Sequence, residues 1–253
     1  MIAPAGRIVG SLVAIVGAMA VCLGLVTANA RLSPHLPWFP LPVLALVVSL
    51  ATWSERRIGI GLHRPVPLDR RTVAMTACLT VAGLSACVFQ GALAGLVQVA
   101  ETGPSGTSPA FALAYAVVLS VTPAALAEIC FRGLMQTGLA RLWGPWPAIL
   151  AVAVINTAAH RWGPELAGQW AAWLLALGAA GWLRSVTGSL WPPLAGHVAA
   201  NLIAALTLWQ SGPFDQGQLG PGAIAVTGTL VVAGLWGAGR LASAGAGHGV
   251  TAR

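Results

Sequence analysis

Residues 109–134 read P-A-F-A-L-A-Y-A-V-V-L-S-V-T-P-A-A-L-A-E-I-C-F-R-G-L. About 20 apolar residues suffice for a helix to cross hydrocarbon, and this stretch is longer. Its only charges are Glu128 and Arg132, four residues apart and so on one helix face. An ionisable group at membrane depth costs roughly 2.5–3.5 kcal/mol on insertion scales. Such groups are kept where they face a protein interior and take part in its function. The stretch therefore predicts a membrane-spanning helix and a buried polar site on it.

The rest of the chain agrees with that reading. Of 253 residues, 57% are hydrophobic and 8% are charged, and the mean hydropathy is +0.80. Soluble domains carry about 25% charged residues. The positive excess is all arginine, with no lysine. A pI near 11.0 raises the question of nucleic acid, but the arginines punctuate apolar runs rather than clustering on a polar face, which excludes a nucleic-acid partner. About eight spans are expected, near 8–29, 37–54, 73–99, 109–134, 145–161, 167–184, 189–210 and 221–240. The fold class is all-α, a polytopic membrane helix bundle. Its expected parts are N-terminal transmembrane helices (1–108), a core holding the polar residues (109–210), a C-terminal transmembrane helix (211–241) and a disordered Gly/Ala-rich tail (242–253). The run Ile8–Val26 is too long for the core of a signal peptide and is read as a retained helix. Cys22, Cys78, Cys87 and Cys130 lie in apolar runs without metal-type spacing, and no disulfide framework is expected.

Arginine placement sets the orientation. The segment Glu55–Arg71 holds Arg56, Arg57, Arg64, Arg70 and Arg71, whereas Glu101–Ser108 holds none. The positive-inside rule then puts the first on the cytoplasmic side and the second outside, with both termini cytoplasmic. Arg31 and Arg161 alone fall on the outer side or at a helix end. Trp38, Trp53, Trp143, Trp146, Trp162, Trp191 and Trp209 lie near span ends, as an interfacial belt would. Gly91/Gly95 and Gly234/Ala238 have the small-residue spacing that lets helices approach closely. Glu55, Asp69, Glu101 and Asp215 are read as loop residues.

Two further helices carry ionisable or amide groups. His160 ends I-N-T-A-A-H (155–160), and His197 shares a helix face with Asn201 in H-V-A-A-N (197–201). Three helices can therefore aim a carboxylate, two imidazoles and an amide into one cavity. A carboxylate beside imidazoles binds a divalent metal such as zinc, or polarises a water, or both. Asn201 is a candidate donor to a developing oxyanion, and Arg132 a counter-ion for Glu128. Each piece has a structural reading as well: an intrahelical ion pair, an interfacial histidine, and interhelical hydrogen bonding by His197 and Asn201. Their coincidence on nearby helices favours one site. H-E-x-x-H, G-x-S-x-G and P-loop patterns are absent from the sequence, which leaves soluble zincin, serine hydrolase and nucleotide readings without support.

These blocks resemble the CPBP intramembrane proteases, also called the CAAX-protease or Abi family. The family pattern is E-E-x-x-x-R, then F-x-x-x-H, then H-x-x-x-N on successive helices. Here A-E-I-C-F-R-G (127–133), N-T-A-A-H (156–160) and H-V-A-A-N (197–201) stand in that order, and T-G-S-L-W-P-P-L-A-G (187–196) resembles the family's lead-in to its last histidine. The segment I-G-I-G-L-H-R-P (58–65) resembles a loop of bacterial members. The resemblance covers roughly 110–210. It implies catalytic roles for Glu128, Arg132, His160, His197 and Asn201, with Glu128, His160 and His197 as metal ligands. Two positions depart from the pattern: Ala127 stands at the first glutamate, taken as the water-activating base, and Asn156 at the phenylalanine.

The resulting expectation is a metal-dependent intramembrane endopeptidase in a bacterial inner membrane. Its partners would be lipid and a membrane-delivered peptide, prenylated or otherwise. One alternative is a catalytically degenerate member acting as a membrane binding or immunity-type protein. Another is a small proton-coupled transporter, although the paired broken helices or repeats of transporters are not found in the sequence.

Overall fold

The structure, a computed structural model, describes residues 40–62, 64, 69–93, 109–159, 170–211 and 221–246, with isolated positions between 17 and 32. All regular structure among these residues is helical: α1 (Pro40–Ile58), α2 (Arg70–Leu93), α3 (Pro109–Ala127), a π-helical segment (Glu128–Met135), α4 (Gln136–Trp143), α5 (Pro145–Ala159), α6 (Trp170–Thr187), α7 (Trp191–Ser211) and α8 (Pro221–Ala246). Most of the expected first span, the loop 101–108, His160 and Asp215 lie outside the described residues. Ile224–Ser243 of α8 is long and apolar enough to cross a membrane, and among the described residues it is the one helix that meets both criteria. α8 also turns Val226, Val232 and Trp236 outward, 59%, 68% and 69% exposed. Large apolar side chains facing out suit a lipid environment better than water.

Several expected boundaries shift. The span predicted over 109–134 is not uniformly α-helical. It becomes π-wound at Glu128 and returns to α at Gln136. Apolar periodicity does not encode such a change, and Pro123 five residues earlier already lacks one backbone donor in this helix. The arginine-rich segment is helical at both ends rather than loop throughout. Glu55, Arg56 and Arg57 close α1, where cations favour the C-terminal dipole, and Arg70 and Arg71 open α2. Glu55 Oε2 accepts hydrogen bonds from the Gly61 and Leu62 backbone N–H groups at 2.7 and 3.1 Å, which folds the turn back on the helix end. Asp69 caps α2, its Oδ1 accepting from Thr72 N–H at 2.6 Å, and that bond holds its carboxyl below the ordinary carboxylate range. The tail predicted to be disordered from 242 is helical to Ala246. Near this end Arg71 donates from Nε and Nη2 to the Leu241 and Ala242 carbonyls at 2.7 and 2.8 Å, support from outside the segment that its Gly/Ala composition does not announce. Cys130 is disulfide-bonded, against the expectation of four unpaired apolar cysteines, while Cys78 is free. Reading cysteines by local spacing misses a bond made between distant segments.

Three apolar clusters hold the bundle. One joins α1, Ile60 and Leu190 to Ile129, Cys130 and Leu134 of the π segment. A second joins Ala127, Phe131 and Met135 to Ala148 and Val152 of α5. The third packs Met75 and Leu79 of α2 against Leu183 of α6 and Ala238 of α8. At the α2–α8 contact the small-residue spacing has a clear use. A Cβ on Gly234 would lie 2.6 Å from the Cys78 carbonyl oxygen and 2.9 Å from Ala82 Cβ. Gly234→Val is therefore expected to destabilise the protein by about 1–3 kcal/mol through overpacking. Thermal unfolding of the detergent-purified variant measures this, and an unchanged midpoint would show that the two helices separate freely.

Candidate active site

Every residue of the π segment is buried. Two of its faces are apolar, one against α1 and one against α5. Its polar residues follow a spacing of four that continues into α4: Glu128, Arg132 and Gln136. Each of the three reaches another helix. Glu128 Oε1 lies 2.8 Å from His197 Nδ1 on α7. Arg132 Nη2 donates to the Leu177 carbonyl of α6 at 3.2 Å. Gln136 Nε2 donates to the Gly181 carbonyl at 2.8 Å and to Ser185 Oγ at 3.0 Å. The stripe thus ties the centre of the fold to α6 and α7.

Glu128 and Arg132 are both fully buried, with Oε1 and Nη1 3.1 Å apart. The contact is an ion pair rather than a hydrogen bond, because Nη1–H is not aligned on the oxygen and Nη1 has no hydrogen-bond partner. Such a pair is costly to desolvate, and each partner is held by the other's charge. Glu128 Oε1 faces two cations or donors, whereas Oε2 is buried and accepts no hydrogen bond. A carboxylate only accepts, so the hydrogen-bond proton is assigned to His197 Nδ1. That tautomer leaves a lone pair on Nε2, as second-shell carboxylates often arrange for histidine. The His197 side chain keeps 19% of its surface exposed while Glu128 has none. The imidazole is therefore the more accessible member of this pair.

Asn201 follows His197 by one turn, and its Nδ2 donates to the Ser120 carbonyl of α3 at 3.2 Å. The observed work of that amide is to tie α7 to α3. Ala127, at the position of the first motif glutamate, packs in the apolar cluster against α5, on a different face from Glu128. Asn156 and Thr157 are buried on α5. His160 lies outside the described residues, and among those residues no three His, Cys, Asp or Glu side chains gather as a metal site. Gln136 was not singled out from sequence. The signal was there, since it extends the 128/132 spacing by one more step of four.

An all-helical bundle with a buried Glu–Arg pair hydrogen-bonded to a histidine on a neighbouring helix defines a class: helical proteins that keep a polar centre inside an apolar frame. Residues 108–203 match the family model of type II CAAX prenyl endopeptidase Rce1-like proteins. The match contains all three motif blocks and supports a CPBP/CAAX-protease assignment for that part of the chain. That family is membrane-integral, in keeping with the span candidate Ile224–Ser243. No curated protein and no solved structure is significantly similar to the chain.

Proposed function

We propose that the chain is an intramembrane endopeptidase of the CAAX-protease type, cleaving a membrane-delivered peptide, prenylated or otherwise. The observation that carries this reading is the Glu128–His197 hydrogen bond at 2.8 Å with Glu128 Oε2 left unpartnered. In this reading Glu128 takes a proton from the attacking water at Oε2, and Arg132 keeps the carboxylate ionised until it does. The His197 proton on Nδ1 fixes the ring, so that Nε2 faces the reacting atoms. Asn201 and Gln136 hold α7 and α6 against α3 and α4 and act by positioning.

The donors present fit a divalent metal such as zinc: an imidazole nitrogen with a free lone pair and an orphaned carboxylate oxygen. His197, Glu128 and, on the motif alone, His160 would hold it, and it would supply Lewis-acid polarisation of the scissile carbonyl and a more acidic water. We further infer about eight spans, an inner-membrane location in a bacterium and cytoplasmic termini, on the arginine asymmetry described above.

The test is cleavage of a farnesylated peptide by the purified chain in nanodiscs, with and without chelator. Cleavage that a chelator abolishes and zinc restores is expected. A second reading has its own support, because Ala127 in an apolar cluster leaves the family's base position without a carboxylate. In that reading the chain binds membrane-delivered peptides without cutting them. Binding without cleavage in the same assay would favour it.

A further inference from the structure

Away from Glu128, the polar stripe leads into a cavity of about 390 Å³. Among the described residues its wall carries four guanidinium groups, those of Arg64, Arg132, Arg141 and Arg184, and Glu55 acts on Arg184 from outside the lining. Glu128 balances Arg132 from the opposite side. The other three arginines come from the turn after α1 and from the ends of α4 and α6, so the cavity gathers charge from three separate parts of the chain.

Two of these arginines are seated by a built feature. Gly61 and Gly188 have φ of +89° and +67°, and a Cβ on Gly61 would lie 2.7 Å from the Gly188 carbonyl oxygen. The two turns touch there, with Leu190 N–H donating to the Gly61 carbonyl at 3.3 Å. Arg184 Nη2 lies 2.8 Å from where a Gly61 Cβ would be, and Arg64 Nη1 lies 2.8 Å from where a Gly188 Cβ would be. Only glycine tolerates both the left-handed backbone and the guanidinium laid against it. Arg184 is fixed further by donating to the Ile60 carbonyl at 2.7 Å. Arg64 and Arg184 thus repel each other beside an open space, a repulsion that Glu55 offsets in part and that an anion in the cavity would relieve further.

We propose that this cavity binds a phosphate group, supplied by the headgroup of an anionic membrane phospholipid. The guanidinium fork matches phosphate oxygens geometrically. A basic pocket between transmembrane helices on the cytoplasmic side is a headgroup site by chemistry, and the volume is in the range of small-ligand pockets. Its rim is interfacial in character. Pro145 lines it, and the neighbouring Trp143 and Trp146 are 56% and 61% exposed, as aromatic rings at headgroup depth are. The inference uses the membrane orientation proposed above but does not depend on peptide cleavage.

The full chain, purified in detergent, is titrated with short-chain phosphatidylglycerol, short-chain phosphatidylcholine and inorganic phosphate, and bound ligand is counted by native mass spectrometry. Saturable binding of phosphatidylglycerol over phosphatidylcholine is expected. In the double variant Arg64→Gln/Arg141→Gln it should weaken about thirty-fold, on the order of five-fold per arginine near the surface. Arg56→Gln/Arg57→Gln removes the same charge outside the cavity and should change little. Binding of inorganic phosphate with the same variant dependence, and no preference between the lipids, would uphold the phosphate site and move its source to solution. Equal binding of both lipids without phosphate binding would overturn the proposal, as would an equal loss in the Arg56/Arg57 variant. Arg64 and Arg141 are exposed, so their loss should leave the fold intact. Should it not, the three-ligand comparison on the unmodified chain still decides.

Discussion

Glu128→Gln is expected to lower peptide cleavage by about 10²–10⁴-fold, the usual worth of a general base. The amide is close in shape to the carboxylate, but it cannot take a proton from water and cannot balance Arg132. The second loss reaches stability. Arg132 is fully buried and its Nη1 has only the Glu128 charge beside it. Removing one partner of a buried pair costs about 3–5 kcal/mol, so the variant should also unfold at lower temperature. The two effects separate in a double variant. Glu128→Gln/Arg132→Met replaces the stranded cation with an apolar side chain and should recover much of the stability, since well-packed apolar substitutes for buried ion pairs are often neutral or better. It should recover none of the cleavage. Full activity in Glu128→Gln, measured on folded protein, would remove Glu128 from the chemistry and leave it a structural role alone.

The sequence and the structure agree where hydrophobic pattern and local spacing decide the outcome. The apolar runs after residue 37 correspond to helices because a chain this poor in charge has few other ways to satisfy its backbone. Glu128 and Arg132 pair because four residues bring them to one face, and the same logic extends to Gln136. The approach of Glu128 to His197 is expected from the coincidence of polar faces on nearby helices and from the family pattern, and the structure supplies the contact at 2.8 Å. What the sequence hid depends on distant partners. The π winding at Glu128–Met135 is a change in hydrogen-bond register with no compositional mark. The helical ending of α8 rests on Arg71, some 170 residues away along the chain. The Cys130 disulfide and the seating of Arg64 and Arg184 against two glycines likewise arise only when segments distant along the chain meet. His160, the third side chain the motif implies, lies outside the described residues.

Ala127→Glu is expected to raise cleavage, by up to the 10²–10⁴-fold of a general base, because it returns a carboxylate to the position the family pattern reserves for one. The structure sharpens what that substitution does. Ala127 does not share the face of Glu128 but packs with Phe131, Met135, Ala148 and Val152, toward α5, the helix whose sequence runs on to His160. A carboxylate there would add an acid on the α5 side while Glu128 keeps its contact with His197. Two acids on different faces can divide the work, one taking the proton of the water and the other holding the imidazole. The cost is a charged group in an apolar cluster, a few kcal/mol if unpaired, so the variant should be less stable even as it becomes more active. That opposite movement of stability and turnover is the signature to seek, with unfolding temperature and cleavage rate measured on the same preparation. Ala127→Gln controls for volume and should lose stability without gaining rate. If Glu128→Gln is inactive and Ala127→Glu adds nothing, Glu128 is the complete base of this chain and the alanine is tolerated. If no form cleaves a membrane-delivered peptide, the buried Glu–Arg–His centre serves to hold the bundle together, and binding without proteolysis becomes the better account of the protein.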